Sequence, residues 1–416
     1  MKYYDRMYKR AVDAAVRGDI ASLFEDAKDA PDYDAHQLDC LLNPKNHPPV
    51  ARLGPCECDE SDCTGVCFYG AMSKDEDGNV VISEQDCVGC SDCIVHCKSG
   101  NLAEIKETVP VFEMLGKDDA PVYALIAPAY ISQFSPEMTP GRLRSAFKRL
   151  GFDGMIEVAL FADILTLKEA LEFDKEVTRE GDFLLTSCCC PMWVAMIRKA
   201  YSTLIPHMPP SVSPMAACGR AIKQLYPGAK TVFVGPCVAK KAEARQEDIS
   251  DAVDYVLTFQ EMRDVFKATA IDPQTLEEDL RDHSSMGGRI YARTGGVSEA
   301  VAATVERLIP ERSIQLIAKQ GDGVPACKAM LKEIESGGGD ANFLEGMGCV
   351  GGCVGGPKAL IDKEEGRRNV NEYGRQAASR TPADNPYVLE LLTRLGFDTI
   401  DSLAQGDNMF TRDFKG

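Results

Sequence analysis

Seventeen cysteines in 416 residues are the side chains here best suited to chemistry, and their spacing sorts most of them into three sets. Near the C-terminal end, Glu345 to Pro357 reads E-G-M-G-C-V-G-G-C-V-G-G-P. It sets Cys349 and Cys353 in a glycine-rich run, where backbone can pass close to whatever the sulfurs hold. Two thiolates do not complete the corners of an iron-sulfur cluster, so further ligands must come from far away in sequence. Cys190 in T-S-C-C-C-P-M-W (Thr186 to Trp193) and Cys237 in G-P-C-V-A-K-K-A-E (Gly235 to Glu243) are the candidates.

Two further sets lie between Cys56 and Cys97. The second, Cys87-x2-Cys90-x2-Cys93-x3-Cys97, has the bacterial two-cluster ferredoxin spacing, in which the fourth cysteine crosses to the other cluster. The first, Cys56-x-Cys58-x4-Cys63-x3-Cys67, departs from it, although Gly70-Ala71-Met72 follows Cys67 as in a ferredoxin repeat. Crossed pairing assigns one 4Fe-4S cluster to Cys56, Cys58, Cys63 and Cys97, and a second to Cys87, Cys90, Cys93 and Cys67. Four-cysteine sets also bind zinc, but two interleaved quartets upstream of a third set favour iron and sulfide. A disulfide scaffold suits short secreted chains rather than ligand-like spacing in a chain of this length. His96 is a spare donor beside a complete cysteine set, and Cys40 has no cysteine near it.

The elements that must hold these residues follow from apolar patterning. Residues 1–52 carry apolar positions at helical spacing (Met7, Ala11, Ala14, Ala15; Ile20, Leu23, Phe24) and read as a helical preface. Residues 53–105 form the cysteine-rich unit, with a short hairpin from the D-G turn into Val80-Val81-Ile82. Residues 101–120 read as a linker, and 121–416 as the largest domain. There Val122 to Pro128, Phe183 to Thr186 and Thr231 to Gly235 read as strands, the last two running into Cys188-Cys189-Cys190 and Cys237. Thr139 to Leu150, Thr258 to Thr269 and Ser298 to Leu308 read as helices. Strands alternating with helices and delivering functional residues at their ends predict parallel α/β architecture. Thr294-Gly295-Gly296-Val297 taken alone is a weak phosphate-loop signal, and the chain after Pro357 reads as charged and loop-rich.

Taken in order, the segments around Cys190, Cys237 and Cys349–Cys353 resemble the three signature segments of the FeFe hydrogenase catalytic domain, and T-G-G-V resembles the family as well. The resemblance runs from about Val122 to Pro357. It implies a two-lobed α/β catalytic domain behind a two-cluster ferredoxin-like α+β domain. It implies reversible oxidation of H2 to protons and electrons at an H-cluster, a 4Fe-4S cluster linked to a di-iron unit with CO, CN and a bridging dithiolate. Cys190, Cys237, Cys349 and Cys353 would hold it, with Cys353 as the bridging thiolate. Cys189 would be the thiol that passes a proton, its pKa drawn down from about 8.5 by the cluster. Lys240 would hydrogen-bond a cyanide, a surface lysine being the plain alternative; Lys241 reads as the solvent-facing neighbour. Met347 would line the pocket, and Glu169 and Glu172 would belong to a proton path. Cys188, where the family has serine, reads as a small buried residue.

The sequence also departs from the fast members of the family. Gly235 and Met215 replace a methionine and a glutamine, Pro209 falls on the proton-path serine, and Glu176 falls on an arginine. The G-P-C segment and these losses resemble the sensory branches, so the expectation is a slow, H2-sensing hydrogenase. A non-catalytic regulatory sensor and a hydrogenase-like iron-sulfur assembly protein are the alternatives. The expected partners are H2, protons and a redox protein such as ferredoxin, with a signalling partner and a homodimer as further expectations. A formal charge of -18 argues against nucleic acid. The lack of a long apolar run argues against membrane insertion, so the expected location is the cytoplasm.

Overall fold

The computed structural model describes residues 3–414 apart from 22, 24–27, 29–30, 57, 59–62 and 118; Phe24 of the helical preface lies outside the described residues. The first strands belong to two small antiparallel ladders. β1 (Val50–Arg52) pairs with β4 (Leu102–Glu104), and β2 (Met72–Lys74) with β3 (Val80–Ile82), across the turn containing Gly78 at φ 79°. Two larger sheets follow, both parallel. β5 (Val122–Ile126), β6 (Gly154–Glu157), β8 (Lys230–Gly235) and β9 (Tyr255–Thr258) are ordered β6-β5-β8-β9. β7 (Leu184–Thr186), β10 (Ala318–Asp322) and β11 (Phe343–Met347) are ordered β10-β11-β7.

Parallel strands have both faces covered by helices, which is why β5, β7 and β8 read as unbroken apolar runs. The polar A-K-Q-G-D of β10 carries no such signal; it is an edge strand, open on one side. The helix Ala159–Glu176 is buried along most of its length and packs against Pro214–Leu225, Met286–Ile290 and Gly296–Leu308, joining the two sheets. Expected helix starts appear where the capping chemistry places them. Thr139 accepts the Arg142 N–H ahead of Pro140–Arg149, and Thr258 and Glu261 close a capping box on Phe259–Thr269.

Three expectations are corrected. Residues 101–120 are no bare linker, for they hold β4 and the helix Thr108–Leu115, whose Val109, Val111 and Phe112 are buried. The preface helix Tyr3–Arg17 packs against that helix and Phe259–Thr269. After Pro357 the chain forms the helices Lys363–Arg375 and Pro386–Arg394, started by Asp362 and Asn385 caps, and returns to bury Leu403 and Phe410. Lys241 is wholly buried. Its ammonium bonds Glu261 at 2.8 Å and the Ile105 carbonyl at 2.8 Å, while Glu261 accepts the Glu107 N–H. Such a pair specifies how the N-terminal part docks, and removing one partner costs roughly 3–5 kcal/mol because the other charge is stranded.

A second clasp crosses the same boundary. Glu104 on β4 meets Lys106 at 2.6 Å and Lys358 at 2.7 Å. Burial would raise this carboxyl, but the two ammonium groups outweigh it and hold it at about 2 against an ordinary 4.5. The depressed value means that its contribution is present above the unfolded-state value and lost as pH falls toward about 2. The unfolding temperature is therefore expected to drop between about pH 5 and pH 2, and to drop less steeply in Glu104→Gln, followed by circular dichroism.

Candidate metal centre

Strand ends deliver the third cysteine set. β7 ends at Thr186, and Ser187 then turns through the left-handed region (φ 70°) with its carbonyl accepting the Cys190 N–H at 3.0 Å. Trp193 fixes this turn by donating Nε1–H to the Thr186 carbonyl at 2.8 Å. β8 ends at Gly235 just before Cys237, and β11 ends at Met347 just before Cys349. Cys190, Cys237, Cys349 and Cys353 thus line one cavity between the two sheets, together with Cys189, Lys240, Met347 and Tyr291. The Gly348 N–H donates to Cys190 Sγ at 3.2 Å.

The glycines of this run answer to protein neighbours. A Cβ on Gly346 would lie 2.2 Å from the Trp193 ring, and one on Gly352 would lie 2.7 Å from the Thr294 amide nitrogen, with φ at 82°. Close approach is therefore needed, as the sequence suggests, but it is to packed side chains and backbone. The T-G-G-V turn holds no phosphate-type site of its own. Its Gly295 and Ser298 N–H groups bind the buried Glu345 carboxylate at 2.7 and 2.8 Å, so the helix start steadies the strand that leads into Cys349.

Lys240 is buried beside the cavity and bonds Glu243 at 2.5 Å, so it is no surface lysine. Burial disfavours its charge, yet Glu243 more than compensates and its pKa rises. Burial, with help from Cys353 and Cys190, pushes the Cys189 thiol well above its ordinary value, and Lys240 opposes. Met347 is buried in the wall.

Glu169 and Glu172 lie one turn apart on the inner face of Ala159–Glu176, both buried. Burial pushes Glu169 up to about 8, opposed by the Thr186 hydroxyl that donates to it. Glu172 is also raised by burial, but Lys168, on the preceding turn, pairs with it. Sequence reasoning missed Lys168, because an i,i+4 Lys–Glu pair reads as solvent-exposed. Pro209 does lack a side-chain donor, but the hydroxyl of Ser211 accepts from Lys168 Nζ at 2.9 Å, beside Glu172. Cys188 is buried beside both carboxylates and donates to the Pro209 carbonyl at 3.4 Å. Glu176 is exposed at the helix end.

The N-terminal cysteines also converge. Cys56, Cys58, Cys63 and Cys97 line one pocket together with Cys93, and the Val80 N–H donates to Cys56 Sγ at 3.3 Å. Cys67, Cys87, Cys90 and Cys93 are mutual neighbours, and the Ala71 N–H donates to Cys67 Sγ at 3.3 Å. This inner set abuts the third one: a Cβ added at Gly89 would lie 3.0 Å from the Ala239 backbone, and Cys90 is a charge neighbour of Cys349. His96 is exposed and turned to the Asp92 carbonyl.

The family model described as iron only hydrogenase large subunit, C-terminal domain, matches residues 120–357. The chain belongs to this family, whose members bind iron-sulfur clusters and the H-cluster. It is 27% identical over 369 residues to the NADP-reducing hydrogenase subunit HndD of Solidesulfovibrio fructosivorans, covering 74% of this chain and 63% of that protein. It is 28% identical over 275 residues to iron hydrogenase 1 of Clostridium pasteurianum, covering 56% of this chain and 48% of that protein. The chain thus spans less than two thirds of these two relatives. A probable cytosolic Fe-S cluster assembly factor of Drosophila ananassae is 25% identical, over 79% of this chain and 82% of that protein. The fold matches the solved structure of HydA(deltaEFG), from work on stepwise H-cluster assembly, with a TM-score of 0.60 and 22% identity over 73% of this chain and 99% of that one. No helix among the described residues is long and apolar enough to cross a membrane.

Three four-iron clusters would bring about twelve irons and twelve sulfides to the reconstituted chain. Gly352→Ala, which forces the Cys349–Cys353 loop off Thr294, is expected to bring iron down to about eight by colorimetric assay, with both N-terminal clusters retained.

Proposed function

We propose that this chain is an FeFe hydrogenase that interconverts H2 with protons and electrons slowly, at a rate suited to sensing H2. The observation that carries the reading is the meeting of Cys190, Cys237, Cys349 and Cys353 with a fifth thiol, Cys189, and the buried ammonium of Lys240 around one cavity. This donor set fits the H-cluster: Cys190, Cys237, Cys349 and Cys353 would hold it, Met347 would lend it an apolar wall, and Lys240 would supply one cation for an anionic ligand. Bound there, the cofactor would supply the site at which H2 is made or split. Lys240, fixed by Glu243, would orient it through a charge-assisted bond. Cys189 would hold the proton next to it and hand it outward, and Glu169, at about 8, carries a proton at neutral pH. The N-terminal quartets would hold two 4Fe-4S clusters and pass electrons to a redox protein such as ferredoxin.

The slow rate follows from Lys168. Its ammonium lies against Glu172 and Ser211 in the outward route, so a passing proton must cross next to a fixed positive charge or displace it. An iron-sulfur assembly role, as the name of the Drosophila relative describes for that protein, has less support, because it makes no use of Cys189 and Lys240. Hydrogen-sensing output to a signalling partner belongs to this reading. So does a cytoplasmic location.

The test is infrared spectroscopy of the matured protein, where CO and CN stretches are expected in a window free of protein bands; their absence overturns the proposal. Cys189→Ala is expected to keep those bands and lose roughly two to four decades of hydrogen evolution. Pro209→Ser is expected to leave the rate within about threefold of wild type, since Ser211 already places a hydroxyl at Glu172. Ser211→Ala should lower it roughly tenfold or more, each normalised to the infrared signal.

A further inference from the structure

Cys40, without a cysteine partner in the sequence, does have neighbours in space. His36, Cys40 and His47 each offer a ligand atom within 4.8 Å of the others. His36 and Cys40 lie one turn apart on the helix Ala35–Leu42, with His36 Nε2 3.8 Å from Cys40 Sγ. The helix ends at Asn43, and the 3-10 turn Pro44–Asn46 brings His47 back beside His36, their rings edge to face at 5.3 Å. Cys40 is fully buried at the base, His47 is half-buried, and His36 is exposed at the rim.

Both imidazoles already have an oxygen partner at Nε2: the Arg52 carbonyl at 2.9 Å for His36 and Asp39 Oδ2 at 2.7 Å for His47. At His47 the carboxylate on Nε2 fixes the tautomer and leaves Nδ1 for a metal, whereas His36 would exchange the Arg52 carbonyl for the metal at Nε2, the nitrogen that lies 3.8 Å from Cys40 Sγ. Asp39 is itself held by the Asn43 amide at 2.7 Å, and the turn is anchored from the large domain by Arg245, which donates to the His47 and Pro44 carbonyls. The cluster is thus supported from three directions, and nothing in the hydrogenase reading uses it.

We propose that His36, Cys40 and His47 bind one divalent ion of the zinc class, separate from the iron-sulfur cysteines. Two imidazoles and one thiolate are the donors that such an ion prefers, and water or Asp39 completes a tetrahedron. Bond lengths of about 2.0–2.3 Å put ligand atoms roughly 3.3–3.6 Å apart, so the side chains close in by about 1 Å on binding. The metal would displace the Cys40 proton and tie the helix Ala35–Leu42 to the turn that carries His47.

The test uses the full chain with its iron-sulfur clusters reconstituted first, then given a slight excess of Zn(II) and freed of unbound metal by gel filtration. About one zinc per chain is expected, with a zinc K-edge absorption spectrum showing nitrogens near 2.0 Å and a single sulfur near 2.3 Å. His36→Gln, at an exposed position that leaves the core untouched, should lower retained zinc at least tenfold with the iron count unchanged. Cys40→Ser should do the same and remove the sulfur scatterer. A zinc shell made only of sulfur places the ion in a cysteine quartet and overturns the proposal. So does zinc below about a tenth per chain in wild type, or full zinc retention in His36→Gln.

Discussion

Four thiols carried by three loops, from two sheets that share no strand, have to meet at one small volume. Everything larger in the molecule serves that constraint. The sheets are parallel, so their carboxyl ends face the same cleft and each can drop a cysteine loop into it. The helix Ala159–Glu176 is buried on nearly every side because it has to lock one sheet against the other. The ligand loops are then fixed by contacts with no tolerance for a methyl group: Gly346 under Trp193, Gly352 against Thr294, Gly348 against Met192. The cysteines are conspicuous in the sequence, but the glycines and Trp193 set where they stand.

The sequence shows which residues could ligate and which strands deliver them, since spacing and unbroken apolar runs are local signals. Thr139, Pro140 and Gly151 likewise announce a helix and its end without reference to anything distant. What stayed hidden depends on partners far along the chain. Lys241 looks like the solvent neighbour of Lys240, and only Glu261 and the Ile105 carbonyl make its burial affordable. β10 has no apolar pattern because it is an edge, and the region after Pro357 is polar because its helices bury only one narrow side. T-G-G-V looks like an anion loop because it is one; its anion is Glu345 of the same protein.

Buried charge then decides what the site does beyond ligation. Among the described residues three lysines are buried, and each has its own carboxylate: Lys168 with Glu172, Lys240 with Glu243, Lys241 with Glu261. The pairs differ in consequence because they differ in what else touches them. Lys241 meets only backbone and its partner, so its role is to dock one part of the chain on another. Lys240 faces the cysteine cavity, where a cation can act on a bound anion. Lys168 meets Glu172, the Ser211 hydroxyl and the Pro210 carbonyl, so its charge lies within a cluster of buried polar groups. At Glu172 the Lys168 ammonium opposes the upward push of burial, whereas Glu169, one turn away and held by the Thr186 hydroxyl, is pushed up to about 8. Two buried acids on the same helix face, both raised by burial, thus differ in what opposes that rise: the Lys168 ammonium at Glu172 and the Thr186 hydroxyl at Glu169.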